Sequence, residues 1–205
     1  MEKTVIQGLL KDIKPLMSEK RYIHTVGVME MAREIGCYCL YDEISELSYA
    51  ALLHDVAKEL PDEQLISIIK SSYVNSDTII AYGREVWHSF AAPYVIKRDF
   101  PAFANKKILS SVEKHTVGAA DMSVFDEIIF IADYIERGRT YPSCIAVREY
   151  LLGALKHGEA VKNIKALHQS CIMAIDHTVE NLMRRGKSIC PESLLAKNTL
   201  ESRIK

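Results

Sequence analysis

No stretch of this 205-residue chain approaches the uninterrupted apolar run that a membrane span requires. The first residues, Met1-Glu2-Lys3-Thr4-Val5, lack the apolar core and cleavage site of a secretory signal. A cytoplasmic protein with no membrane partner is therefore expected. Net charge is also scarce: 26 basic residues against 27 acidic ones leave −1, so no global positive field draws the chain to nucleic acid. Small molecules become the expected partners. The five cysteines, Cys37, Cys39, Cys144, Cys171 and Cys190, are odd in number and show no CxxC spacing. They read as buried thiols in a reducing compartment rather than as zinc or redox motifs. No segment reads as a strand, no solenoid repeat is visible and no Gly/Ser-rich linker divides the chain.

What is present is globular composition, 48% hydrophobic and 26% charged, arranged in helical periods. The expected fold is a single all-α domain over residues 1–205, a helical bundle with a core of about 19–140 and C-terminal helices of about 143–201 packed on it. Apolar residues from Val5 to Leu16 predict a first helix that lids the bundle. A second runs from Glu19 to about Leu40 with His24, Val28, Met31 and Ile35 on its inward stripe. A third, from about Glu43 to Lys58, carries His54 and Asp55 inside its C-terminal end. Pro61 opens a short helix, Ser71 to Asp77 reads as polar connection, and Arg84 to Asp99 forms a helix holding His88. Residues from about Ala104 to Lys114 lead into His115-Thr116-Val117-Gly118, and Asp121 is the expected cap of the helix that carries Asp133. Helices around Cys144 to Lys156 and Glu159 to Arg185 follow, and Pro191 starts a short last one.

Four side chains stand out against this apolar pattern: His24, His54, Asp55 and Asp133. Adjacent residues on a helix differ by about 100° around its axis, so His54 and Asp55 can flank one cation. A lone histidine on an apolar face is commonly a hydrogen-bonded core residue, but buried carboxylates are rare unless paired or metal-bound. Two imidazoles with two carboxylates suit a divalent Fe, Mn, Co or Zn and leave positions open for water and phosphate oxygen. His88 and His115 can serve as hydrogen-bond donors behind the ligands, as phosphate contacts, as ligands of a second metal, or merely as core residues. Trp87 reads as core, Asp176 to Asn181 as a solvated helix face, and Arg184, Arg185 and Lys187 as charges complementing a helix end.

Five ordered motifs extend this pattern: Arg21 to Val28, Ala51 to Lys58, Trp87-His88-Ser89, His115 to Gly118, and Ala132 to Arg139. Together they resemble the HD-domain metal-dependent phosphohydrolases, whose adjacent His and Asp are here His54 and Asp55. Within these the chain looks most like the YqeK family of symmetrical diadenosine tetraphosphate (Ap4A) hydrolases, over nearly its whole length. The resemblance implies iron held by His24, His54, Asp55 and Asp133. It places Arg21, His88, His115, Thr116 and Arg139 around the nucleotide, likens Asp176 to Asn181 to a segment near the nucleotide, and implies cleavage of Ap4A into two ADP. Asp55, His88 and His115 would be catalytic, with Asp55 and Asp133 also touching substrate. His88 and His115, if protonated, and Arg139 would offset developing charge. Val117 departs from the pattern, in which a second threonine is frequent, and removes one hydroxyl near the phosphates. A homodimer is a candidate assembly. The alternatives are an HD phosphohydrolase acting on another nucleotide, such as a nucleoside phosphate or a guanosine alarmone, and a non-catalytic nucleotide-binding protein.

Overall fold

The computed structural model describes residues 2–39 and 41–205, which form eleven α-helices and three short 3-10 turns with no strand among them. The amphipathic segments become α1 (Glu2–Ile13), α2 (Glu19–Cys39), α3 (Ile44–Leu53), α4 (Asp62–Ser72), α5 (Ser76–Ala81) and α6 (Arg84–Asp99). They continue as α7 (Lys106–Lys114), α8 (Val124–Ile135), α9 (Pro142–Ala154), α10 (Ala160–Arg184) and α11 (Pro191–Ile204). None is long and apolar enough to cross a membrane.

Helices α2, α3, α7 and α8 pack on one another, and α6 joins them through α7. The stripe Val28, Met31 and Ile35 of α2 meets Leu47, Ala51 and Leu52 of α3 and Ile128, Ile131 and Ile135 of α8, all fully buried. Burying each such aliphatic side chain contributes about 1.5–3 kcal/mol, which fixes α2, α3 and α8 side by side. The same three helices hold His24, His54 and Asp133. Around this centre α9 and α11 each pack on α10, and α10 also lies against α2 and α8.

Several expected boundaries move. The second helix is described as far as Cys39, and its expected terminus, Leu40, lies outside the described residues. The third ends at Leu53 with His54 as its C-cap, and residues 54–59 form tight turns, so the His–Asp pair sits at a helix end rather than inside a helix. The supposed connection from Ser71 to Asp77 shrinks to a few residues, because α5 starts at Ser76 and buries Ile79. The cap of α8 is Ser123, which shares a reciprocal capping box with Asp126, whereas Asp121 pairs with Lys114 at 3.0 Å. The last helix runs to Ile204, longer than expected. The first helix packs on α3 with Leu9 and Ile13 buried.

Candidate metal centre

Two of the histidines are built by the same local device. His54 and His115 are the C-caps of α3 and α7, where the last turn leaves carbonyl oxygens without helical partners. Each folds its ring back onto such a carbonyl: His54 Nδ1 meets Ala51 O at 2.6 Å and His115 Nδ1 meets Val112 O at 2.6 Å. A carbonyl only accepts, so each Nδ1 carries the proton and each Nε2 presents a lone pair. The turn that follows His54 is tied down by Arg84, which donates to Lys58 O and Leu60 O, both at 3.1 Å.

His24 enters from the second turn of α2 and Asp133 from the last turn of α8. His24 Nδ1 lies 3.1 Å from Glu136 Oε1, a carboxylate behind an imidazole of the kind that orients metal-binding histidines. Room for Glu136 comes from Gly27, where a Cβ would fall 2.7 Å from Glu136 Oε2. His24 Nε2 stands 3.0 Å from Asp133 Oδ1 and 3.8 Å from Asp55 Oδ2, while His54 Nε2 stands 3.4 Å from Asp55 Oδ2 and 3.9 Å from Asp133 Oδ1. Both Nε2 atoms are buried, yet neither has hydrogen-bond geometry to any partner. Unsatisfied buried polar atoms are costly, and lone pairs converging with two carboxylates make a donor set that fits a divalent ion. His24, His54 and Asp133 form one such group, and His54, Asp55 and His115 form a second that shares His54.

Asp55 is 3% exposed and divides its oxygens between two sides. Oδ2 faces His24, His54 and the Arg21 guanidinium, 2.5 Å away; Oδ1 faces His88 Nε2 at 3.2 Å and His115 Nε2 at 3.6 Å. Burial opposes its charge, but His54, His115 and His88 hold the carboxyl well below the usual carboxylate range. Asp133 is likewise held low against burial by His24 and Arg139. Burial pushes the His88 imidazole down to about 3 despite Asp55, so at neutral pH His88 is uncharged and does not offset phosphate charge as expected. Burial alone would lower His24, yet the Asp133 and Glu136 carboxylates raise it to about 9.

The residues expected around a nucleotide gather here too. Thr116 Oγ1 lies 3.1 Å from His88 Nε2 and 3.0 Å from His115 Nε2. Arg139 donates to Asp133 Oδ1 at 2.8 Å and to Asp133 O at 3.1 Å, so it is no free surface charge. Val117 is buried beside Phe90 and Ile79 and offers no hydroxyl. Trp87 packs partly buried against the core, with Nε1 donating to Ile80 O.

Sequence reasoning passed over two residues. Glu136 supports His24, and its only sequence signal was its place three residues after Asp133 with Gly27 and Gly138 at the same spot. Lys58 closes the motif begun by His54, and its Nζ lies 3.2 Å from His88 Nδ1; burial lowers its pKa while Asp55 and Asp133 oppose the shift. The face from Asp176 to Asn181, expected to be merely solvated, supplies His177, Thr178, Glu180 and Asn181 to a pocket of about 540 Å³ that also touches Asp133 and Arg139.

The HD domain family model matches residues 21–138, the span that contains every ligand candidate. The chain belongs to the HD-domain family. It is 31% identical over 190 residues to the symmetrical bis(5'-nucleosyl)-tetraphosphatase of Bacillus subtilis (strain 168), covering 93% of this chain and 94% of that protein. It is 30% identical over 192 residues to the protein of the same name from Halalkalibacterium halodurans, with the same coverage of 93% and 94%. The crystal structure of a predicted HD superfamily hydrolase involved in NAD metabolism from Clostridium acetobutylicum superposes with a TM-score of 0.78 at 26% identity, covering 96% of this chain and 97% of that one. The chain is therefore an all-α HD-domain hydrolase with a His/Asp cluster suited to a divalent metal.

Proposed function

We propose that this HD-domain hydrolase cleaves Ap4A at its central phosphoanhydride to give two ADP, using iron held by His24, His54, Asp55 and Asp133. The observation that carries the reading is the convergence of the unpartnered, buried Nε2 atoms of His24 and His54 on Asp55 and Asp133. Relatives about 30% identical over 93% of the chain carry the symmetrical tetraphosphatase name, which supports the substrate. The C-terminal helices belong to the same working domain, since α10 lines the pocket beside Asp133.

A bound divalent ion supplies Lewis acidity, lowering the pKa of water and drawing charge from phosphoryl oxygen. The chain does the rest. Asp55 Oδ1, on the side of its carboxylate away from His24, orients the attacking water and accepts its proton. Neutral His88, 3.2 Å from that oxygen, gives its one N–H to the carboxylate and holds it in place, with Lys58 Nζ 3.2 Å from its Nδ1. Thr116 donates to a phosphoryl oxygen from the same side, and His115, whose Nε2 lies 3.0 Å from Thr116 Oγ1, positions that hydroxyl. Arg21 and Arg139, each already turned toward the carboxylates, and buried Lys58 offset charge on the transferred phosphoryl group and on the departing ADP.

Chromatography of the products from Ap4A, run with metal analysis on protein purified without chelators, tests the reading. Two ADP per substrate are expected, with iron in the protein; ATP plus AMP, or no cleavage of Ap4A when other nucleotides are cleaved, overturns it.

A further inference from the structure

A second cavity reaches the metal centre at His24 and also includes Arg139 in its wall. It has a volume of about 510 Å³ and is lined by the first turns of α2 and by the segment after α8. This volume nearly equals the 540 Å³ of the pocket beside α10, and both fall within the range of small-ligand sites. The two cavities share Arg139 and Tyr141 and nothing else. One reaches the cluster at His24 and the other at Asp133, whose facing atoms are 3.0 Å apart.

The chemistry on the two sides is alike in kind and different in detail. The cavity on α2 gathers the cations Lys20, Arg21 and Arg139, and the one on α10 gathers Arg139, Arg184 and Arg185. Each set can neutralise a diphosphate arm. On the α2 side Ile23 is 63% exposed beside the shared Tyr141, itself 67% exposed, so a large aliphatic side chain faces solvent at this cavity alone. Exposed apolar groups at a cavity mouth suit a flat purine ring. Arg21 Nε, buried in the same wall, has no hydrogen-bond partner and remains available to a phosphoryl oxygen. The α10 side offers His177 and Asn181 instead, groups that read a base by hydrogen bonding.

We propose that the α2 cavity is the seat of a second nucleoside diphosphate unit. Tyr141 is then the wall between the seats, and Arg139 is the cation over the middle of a four-phosphate chain. The inference rests on the Ap4A reading and deepens it: two seats of matched volume about one centre divide a dinucleoside tetraphosphate at its midpoint. The seats are unlike, one apolar and one hydrogen-bonding, so the two ends of a symmetrical substrate are held by different contacts.

Titration calorimetry of the metal-loaded chain with ADP provides the test. Two ADP per chain are expected. The double variant Lys20→Glu/Ile23→Asp removes one, Asn181→Ala/Arg184→Glu removes the other, and Tyr141→Ala weakens both at least tenfold. All five positions are exposed, so unchanged melting temperatures will accompany these losses. A single ADP per wild-type chain, or two still bound by a folded Lys20→Glu/Ile23→Asp variant, overturns the second seat. Two bound ADP with release of ATP and AMP from Ap4A leaves the seats standing and overturns the functional reading instead.

Discussion

Two buried carboxylates of this chain face histidine and arginine, Asp55 in the centre and Glu127 on α8, and they do opposite work. Glu127 is fully buried and completely matched: Oε2 is 2.6 Å from His168 Nδ1 and Oε1 is 2.8 Å from Arg203 Nη1. Through those contacts α8 is tied to α10 and α11. Asp55 has a similar set of neighbours in Arg21, His24, His54, His88 and His115, but three nitrogens of that set, Arg21 Nε, His24 Nε2 and His54 Nε2, remain without hydrogen bonds. Residue type does not separate a structural cluster from a reactive one. Unfilled bonding capacity does.

That contrast sets the size of the expected effects. Asp55→Ala or His54→Ala should remove both bound metal and Ap4A cleavage, the largest effect, read by metal analysis and product chromatography on the folded protein. Normal turnover in a metal-free variant would break the comparison at once. Glu127→Gln should cost about 3 kcal/mol of stability in chemical denaturation, since it unbalances a buried charged set, while metal per folded chain stays at the wild-type value. Glu136→Gln, acting only behind His24, should weaken metal binding about 10–100-fold in competition with a chelator.

The smallest effect concerns pH. In the metal-free chain His24 is raised to about 9 from an unfolded value near 6.5, so its protonated form stabilises the fold fully below pH 6.5. That contribution disappears as pH rises through 9. The melting temperature of the metal-free protein should therefore fall between pH 6.5 and 9, and metal binding in that window should release a proton. A flat metal-free profile would show that the Asp133 and Glu136 carboxylates do not hold His24 charged.

Much of the centre was legible in the order of residues. His24, His54, Asp55 and Asp133 are polar residues among apolar neighbours, and for His24 and Asp133 the helical period alone turns them inward. The end of α3 was not legible, because Val56 and Ala57 resume the apolar pattern past the point where the helix stops, and only the ring of His54 bonding Ala51 O marks the terminus. The short helix α5 hid in a polar stretch whose one buried apolar anchor is Ile79. Glu127 and His168 gave no local signal, since their meeting depends on packing between α8 and α10. The α10 face beside Asp133 was misread for a physical reason: polar residues that line a pocket and polar residues that meet bulk solvent have the same periodicity.

The paired C-caps of α3 and α7 have a consequence for the cost of binding. A side chain that is mobile before its ligand arrives loses rotamer entropy on capture, about 0.5–1.5 kcal/mol for each flexible group. The rings of His54 and His115 are already held by carbonyls three residues earlier in their own helices. Their freedom was lost when the helices formed, so an arriving cation meets nitrogen lone pairs that are already aimed. Loss of either helix end would therefore weaken binding through disorder, with every ligand atom still present in the chain.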